Sequence, residues 1–326
     1  MKTIKKTVGG CVFATLVGVA VCLQASVIFV NAQRFSAWSE PVNLGPNVNS
    51  SVTDGCPSIA ANGLDLFFAS NREGGLGSTD IYVAQRQTPC SSHWDAPFSL
   101  GPNINTASAD ECPTPSLNGR SLYFVSSRPG GCGGTDIYVS RQLISGNLRR
   151  WTEPENLGCE LNGPGNDLSP TFFEDHDGTV YMYFSSGLRP GGLGFGDIYF
   201  ARQLADGSFG PVSPVVEFNT TFNDIRPNIR RDGLEIYFDS NRPGSMGGMP
   251  DIYVSTRECT SCPWTTPVNL GPPVNTSGNE GRASLSFDGT NLYFMSDRPG
   301  GLGLLDIYVA SRSRLPRRPL LAPPGL

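Results

Sequence analysis

Lysine is almost missing from this 326-residue chain: only Lys2, Lys5 and Lys6 occur, and every other strong base is arginine. Net charge is −5 at pH 7, and those three lysines offset part of it, so the remainder of the chain is more acidic still. An acidic chain without a basic face of clustered Lys and Arg cannot release counterions along a phosphate backbone, which makes nucleic acid an unexpected partner. Charged residues are also scarce, at 16%, against 38% hydrophobic, which excludes a disordered polyelectrolyte. Histidine is limited to His93 and His176, neither set in a triad or zinc pattern, and no Gly-x-Ser-x-Gly elbow occurs. Beyond the N-terminus, no apolar run is long enough for a transmembrane helix.

Glycine and proline, in contrast, are abundant. The chain has 39 Gly and 27 Pro, about a fifth of all residues and well above ordinary usage. Both are poor in helix interiors, so long helices are not expected. The N-terminus reads MKTIKK, an apolar stretch from Val8 to Val30, then Asn31 and Ala32. Positive, apolar and small-residue segments in that order predict a secretory signal peptide over 1–32, cleaved after Ala32. Cleavage after Ala25, or retention as an anchor, are the alternatives. Export to the periplasm or beyond implies an oxidising compartment. Seven cysteines follow the leader: Cys56, Cys90, Cys112, Cys132, Cys159, Cys259 and Cys262. An odd count leaves at least one unpaired.

An internal repeat covers nearly everything else. Asp-Ile-Tyr begins at Asp80, Asp136, Asp197, Asp251 and Asp306, at spacings of 56, 61, 54 and 55 residues. Each copy follows a glycine-rich loop, an apolar run such as LDLFFAS or RSLYFVS, and an Asn/Asp-Gly turn. Trp38, Trp94, Trp151 and Trp264 fall on one repeat position, and Phe209 fills the fifth. In the second repeat, strands are expected over 113–117, 121–126, 136–141 and 151–157. Four strands per unit, repeated radially, predict an all-β, single five-bladed β-propeller over 33–312. The chain opens with a Trp strand and ends with an Asp-Ile-Tyr strand. Trp38–Leu44 should therefore complete the final blade and close the ring. Residues 313–326, Pro- and Arg-rich, are expected to be a disordered tail.

The motif P-x-[IL]-x-x-[DN]-G-x-x-[LI]-[YF]-F-x-S-x-R-P-G-G-x-G-x-x-D-I-Y-V resembles the WD40-like propeller repeat of TolB-like proteins, in all five copies. That resemblance implies a disc with a central channel, often used for protein contacts in the cell envelope, and marks a fold more than a function.

In a propeller the entry to the inner strand and the loop after the second strand share one face. That face should carry Asp54, Asp110, Asp167, Asp224 and Glu280. It should also carry Arg72, Arg128, Arg189, Arg242 and Arg298, and the Asp-Ile-Tyr acids Asp80, Asp136, Asp197, Asp251 and Asp306. Asn49, Asn105, Asn162 and Asn275 sit nearby. One reading is a polar ligand surface, or an acidic ring holding a structural Ca²⁺, the one cofactor the pattern allows. The other is that each Arg pairs with an Asp to pin a glycine-rich loop, which fivefold repetition favours. Symmetry breaks just before the inner-strand proline, where the five copies read Cys56, Cys112, Ser169, Arg226 and Arg282, and Glu111 adds a lone carboxylate. The five ring acids with Glu111, Arg226 and Arg282 are thus the candidate ligand-binding group at the channel mouth.

The cysteines suggest Cys56–Cys112 between equivalent inner-strand positions, Cys132–Cys159 between neighbouring loops, and a local Cys259–Cys262 link, leaving Cys90 over. No residue is assigned a catalytic role. The expected function is an exported, monomeric, non-enzymatic binding or scaffold module for an envelope or extracellular protein or polysaccharide. A carbohydrate-active enzyme resembling the glycoside hydrolases, using inner-strand carboxylates, is the alternative.

Overall fold

Short strands punctuated by glycine turns cannot bury both faces alone, so each repeat must stack on the next. In the computed structural model, which describes residues 35–145 and 148–316, the repeats do so as five antiparallel blades. The expected leader and all but the first residues of the expected tail lie outside the described residues.

The first blade runs Asp54–Ile59, Asp65–Ser70, Asp80–Gln85 and Phe98–Ser99 from the axis outward. The second runs Asp110–Pro115, Ser121–Ser126, Asp136–Ser145 and Glu155–Asn156, with Leu148–Trp151 paired back on its long third strand. The third is Asp167–Glu174, Val180–Ser186, Asp197–Arg202 and Ser213–Pro214. The fourth is Asp224–Ile229, Glu235–Ser240, Asp251–Thr256 and Val268–Asn269. The fifth has Glu280–Leu285, Asn291–Ser296 and Asp306–Ser311, and its outer strand is Val42–Asn43 from the start of the chain. Val42 pairs with Val309 and Asn43 with Tyr308, so the ring closes as the repeat phase requires. The outer strands are shorter than expected, two residues each, because the prolines that follow the tryptophans cannot donate to a ladder.

The core lies between blades. Phe68, Phe124, Phe184, Phe238 and Phe294 are fully buried second-strand residues. The tryptophans pack at the seam with the preceding blade: Trp38 meets Tyr237 of that blade edge-on, and Trp264 meets Phe218 of the inter-blade loop. Arginines cover them, with Arg86 over Trp94 and Arg257 over Trp264.

A second tie is polar. Asn105 accepts from the Ile81 backbone N–H at 2.8 Å and donates to the Ile81 carbonyl at 3.0 Å. Its side chain thus acts as an added strand residue for the preceding blade. Asn49 does this to Ile307, Asn162 to Ile137, Asn219 to Ile198 and Asn275 to Ile252. The glycine-rich loops lie equally close: a Cβ on Gly77 would sit 1.9 Å from the Ser108 carbonyl oxygen of the next blade.

Replacing Asn105 with Ala leaves the buried Ile81 N–H without a partner, at about 1–3 kcal/mol, while the Ile81 carbonyl keeps the Leu100 N–H at 3.2 Å. Urea unfolding should show a loss of about 1–3 kcal/mol. A loss below about 1 kcal/mol would mean that water replaces the amide and the tie is dispensable.

Candidate functional site

Each inner strand begins with a carboxylate that the fold seals. Asp54, Asp110, Asp167, Asp224 and Glu280 have fully buried side chains, and each meets one arginine from the loop after the second strand. Arg72 reaches Asp54 at 2.5 Å, Arg128 reaches Asp110 at 2.7 Å, Arg189 reaches Asp167 at 3.1 Å and Arg298 reaches Glu280 at 3.3 Å; Arg242 pairs with Asp224. The second oxygen is also taken: Asp110 accepts from the Thr106 N–H at 2.6 Å and its hydroxyl at 2.8 Å. The guanidinium groups lie over ring faces, as Arg72 does 5.1 Å from Phe68 and 5.0 Å from Tyr82. These five acids are therefore not ligand groups at the mouth, which corrects their sequence-based placement. Sequence spacing gives the shared face but not that the side chains turn inward to satisfy buried backbone and arginine.

Asp80, Asp136, Asp197, Asp251 and Asp306 have a different task from the ring acids. They accept backbone N–H groups of their own glycine-rich loops, for example Leu76 to Asp80 at 2.8 Å and Leu193 to Asp197 at 2.9 Å. So the loop arginines pin the inner strand, and the Asp-Ile-Tyr acids shape the loop.

What remains at the axis is the set of residues where the blades differ. All five inner strands bulge two residues in from the acid, and the residue before the proline, or before Ala283 in the fifth blade, has positive φ. Those residues are Cys56, Cys112, Ser169, Arg226 and Arg282, with φ between 49° and 57°. Side chains rarely adopt that conformation, and here it directs all five into one small cavity of ≈ 30 Å³ at the channel. Pro57, Pro113, Pro170 and Pro227 narrow it further.

Around this cavity lies a charge cluster. Arg282 Nη1 is 3.2 Å from Glu111 Oε2 and 3.4 Å from Cys112 Sγ. Arg226 Nη1 is 3.2 Å from Asp239 Oδ2. The Arg282 backbone N–H donates to both Asp239 oxygens, at 2.9 and 3.0 Å. Gly281 allows this approach, since a Cβ there would stand 2.5 Å from Asp239 Oδ2. Asp239 is fully buried, and burial lifts its pKa to about 6 against the pull of Arg226. Burial, then repulsion from Arg282, lowers the pKa of Arg226. Glu111 keeps 22% of its side chain exposed, whereas Arg226 and Arg282 keep 18% and 16%.

Sequence reasoning brought Glu111, Arg226 and Arg282 together, and the structure does too. Asp239 was missed. A signal existed: it stands in a second-strand column otherwise filled by Ala69, Val125, Ser185 and Met295. Cys56 is bonded to Cys112, Cys132 to Cys159 and Cys259 to Cys262, while Cys90 is free and exposed. Among the described residues, the one group of three acidic, Cys or His side chains close enough to share an ion is Cys56, Glu111 and Cys112, and its sulfurs are joined.

No protein-family model matches the chain, and no curated protein matches it. Solved structures do. An α-L-arabinofuranosidase from Lactobacillus brevis aligns at 14% identity and TM-score 0.55, covering 80% of this chain and 91% of its own. A thermostable family-43 glycoside hydrolase aligns at 15% and 0.52, covering 85% and 98%. An endo-arabinase from Bacteroides thetaiotaomicron aligns at 16% and 0.52, covering 86% and 98%. At these identities the likeness establishes the fold. It also corrects the expectation of a non-enzymatic binding module: the neighbours of this ring are mostly glycoside hydrolases, so the carbohydrate-active alternative is the reading carried forward.

Asp239 supplies a pH test. Its carboxyl titrates near 3.8 when unfolded and about 6 when folded, so the folded protein holds the extra proton between those values. Its contribution to stability is therefore full below about pH 4 and is lost as pH rises through 6. Asp239→Asn lacks this titration, so variant stability should gain on the native protein by up to about 3 kcal/mol between pH 4 and 7. A stability difference flat across that range would place Asp239 in contact with water.

Proposed function

We propose that this protein is a carbohydrate-active enzyme that cleaves glycosidic bonds at the mouth of its central channel. The observation that carries the reading is Glu111. Of the carboxylates in the first two positions of the inner strands, it alone reaches water, and it does so at the axis of a fold whose solved neighbours include an α-L-arabinofuranosidase and an endo-arabinase. It is the group offered either to protonate the leaving glycosidic oxygen as a general acid or to take a proton from the attacking water as a general base. Asp239 is sealed behind Arg226 and acts as a positioning residue, holding both arginines against the cavity wall. Its raised pKa keeps the cluster from carrying two full negative charges at mildly acidic pH.

The repeat is read as WD40-like, of the TolB-like type, on the strength of a motif that recurs in every blade. The N-terminal pattern supports export, and a polysaccharide outside the cytoplasm or in the envelope is the substrate consistent with it.

The test is cleavage of a panel of neutral and acidic polysaccharides, followed by reducing-end release. At least one should be cut, and Glu111→Gln should lower the rate about 10²–10⁴-fold while the melting temperature stays within about 3 °C. Cleavage of none, or a Glu111→Gln enzyme of native rate, overturns the reading.

A further inference from the structure

Two arginines at the axis of an otherwise uncharged proline collar need an explanation. No other blade places a base there: the equivalent residues are Cys56, Cys112 and Ser169. Burying a guanidinium costs free energy unless its donors are used, and a buried orphan donor costs about 1–3 kcal/mol. Here the donors are not all used. The Nε atoms of both Arg226 and Arg282 are buried and make no hydrogen bond. Each side chain reaches its carboxylate through Nη1 alone, Arg226 to Asp239 and Arg282 to Glu111. Neither therefore makes the two-pronged contact that guanidinium geometry favours with a carboxylate. The cavity that both line measures ≈ 30 Å³, room for a group of carboxylate size.

We infer that Arg226 and Arg282 form a subsite for the carboxylate of a uronic acid, so that the substrate is an acidic glycan and not a neutral one. This rests on the carbohydrate part of the reading above. A uronate carboxylate entering the collar would engage donors that the resting protein leaves idle, while the sugar ring lies toward Glu111 at the open side. A neutral sugar would place a hydroxymethyl group there, which offers one oxygen instead of two and cannot engage both idle Nε donors. The mostly buried arginines supply the discrimination, since their charge is weakly screened in the collar.

The experiment is titration calorimetry of the purified protein with galacturonate, glucuronate, galactose, glucose and sulfate. The expected result is uronate binding at least tenfold tighter than the matching neutral sugar and tighter than sulfate. Arg226→Gln and Arg282→Gln should each weaken it tenfold or more, with Arg282→Lys intermediate because it keeps charge but loses the fork. Circular dichroism of each variant separates lost binding from lost fold, and the lysine variant remains informative if a glutamine variant does not fold. Equal binding of galactose and galacturonate, uronate binding indifferent to both arginines, or sulfate binding as tight as uronate each overturns the subsite. The two readings fail separately. Glu111-dependent cleavage of neutral glycans without uronate preference sinks the subsite alone. Arginine-dependent uronate binding without cleavage of any glycan sinks the enzyme reading alone.

Discussion

The ring depends on the buried pair of arginine and carboxylate that recurs in every blade. The arginine comes from the loop after the second strand and the carboxylate from the start of the inner strand. The guanidinium also donates to a backbone carbonyl of the inter-blade loop, Arg72 to Val48 at 2.6 Å and Arg128 to Ile104 at 2.7 Å. One side chain thus ties a strand, a glycine-rich loop and the entry from the previous blade. Glycine is needed in those loops because they pass under neighbouring carbonyls, and without the pin they would have little to hold them. The asparagine side chains then join each blade to the one before it.

This arrangement divides the charged residues near the axis into two groups. Those repeated five times are consumed by the scaffold, and none keeps an oxygen for a ligand or a proton transfer. Chemistry is left to residues that occur once: Glu111, Asp239, Arg226 and Arg282. They meet because bulges at equivalent places turn non-equivalent side chains to a common axis. Fivefold symmetry builds the channel, and its local failure makes the site.

Blade number, blade order and ring closure were legible because the repeat is periodic in sequence, and the phase of the Trp38 strand against Asp306–Ser311 left one way to close an edge. The pairing of each loop arginine with an acid was legible, but not that Asp54 and its equivalents, and not the Asp-Ile-Tyr acids, turn inward to take it. A column of acids facing the loop side reads the same whether the side chains point to water or to a buried arginine. Asn219 escaped notice because it lies in EFNTTF, where the Leu-Gly entry of the other repeats is absent. Asp239 was hidden for another reason: it belongs to a second strand, and only the crossing of the fourth and fifth blades, with Gly281 in between, brings it to Arg282.

The sharpest test of this division compares adjacent residues of one strand. Asp110 and Glu111 differ by a single position, one sealed against Arg128 and the other at the channel. Melting temperatures of Asp110→Asn and Glu111→Gln should separate. The first should fall by about 6–12 °C, since it weakens a buried ion pair worth roughly 3 kcal/mol on breaking. The second should stay within about 3 °C, as expected for a partly exposed pair. Equal losses, or the larger loss for Glu111→Gln, would contradict the separation of scaffold from site.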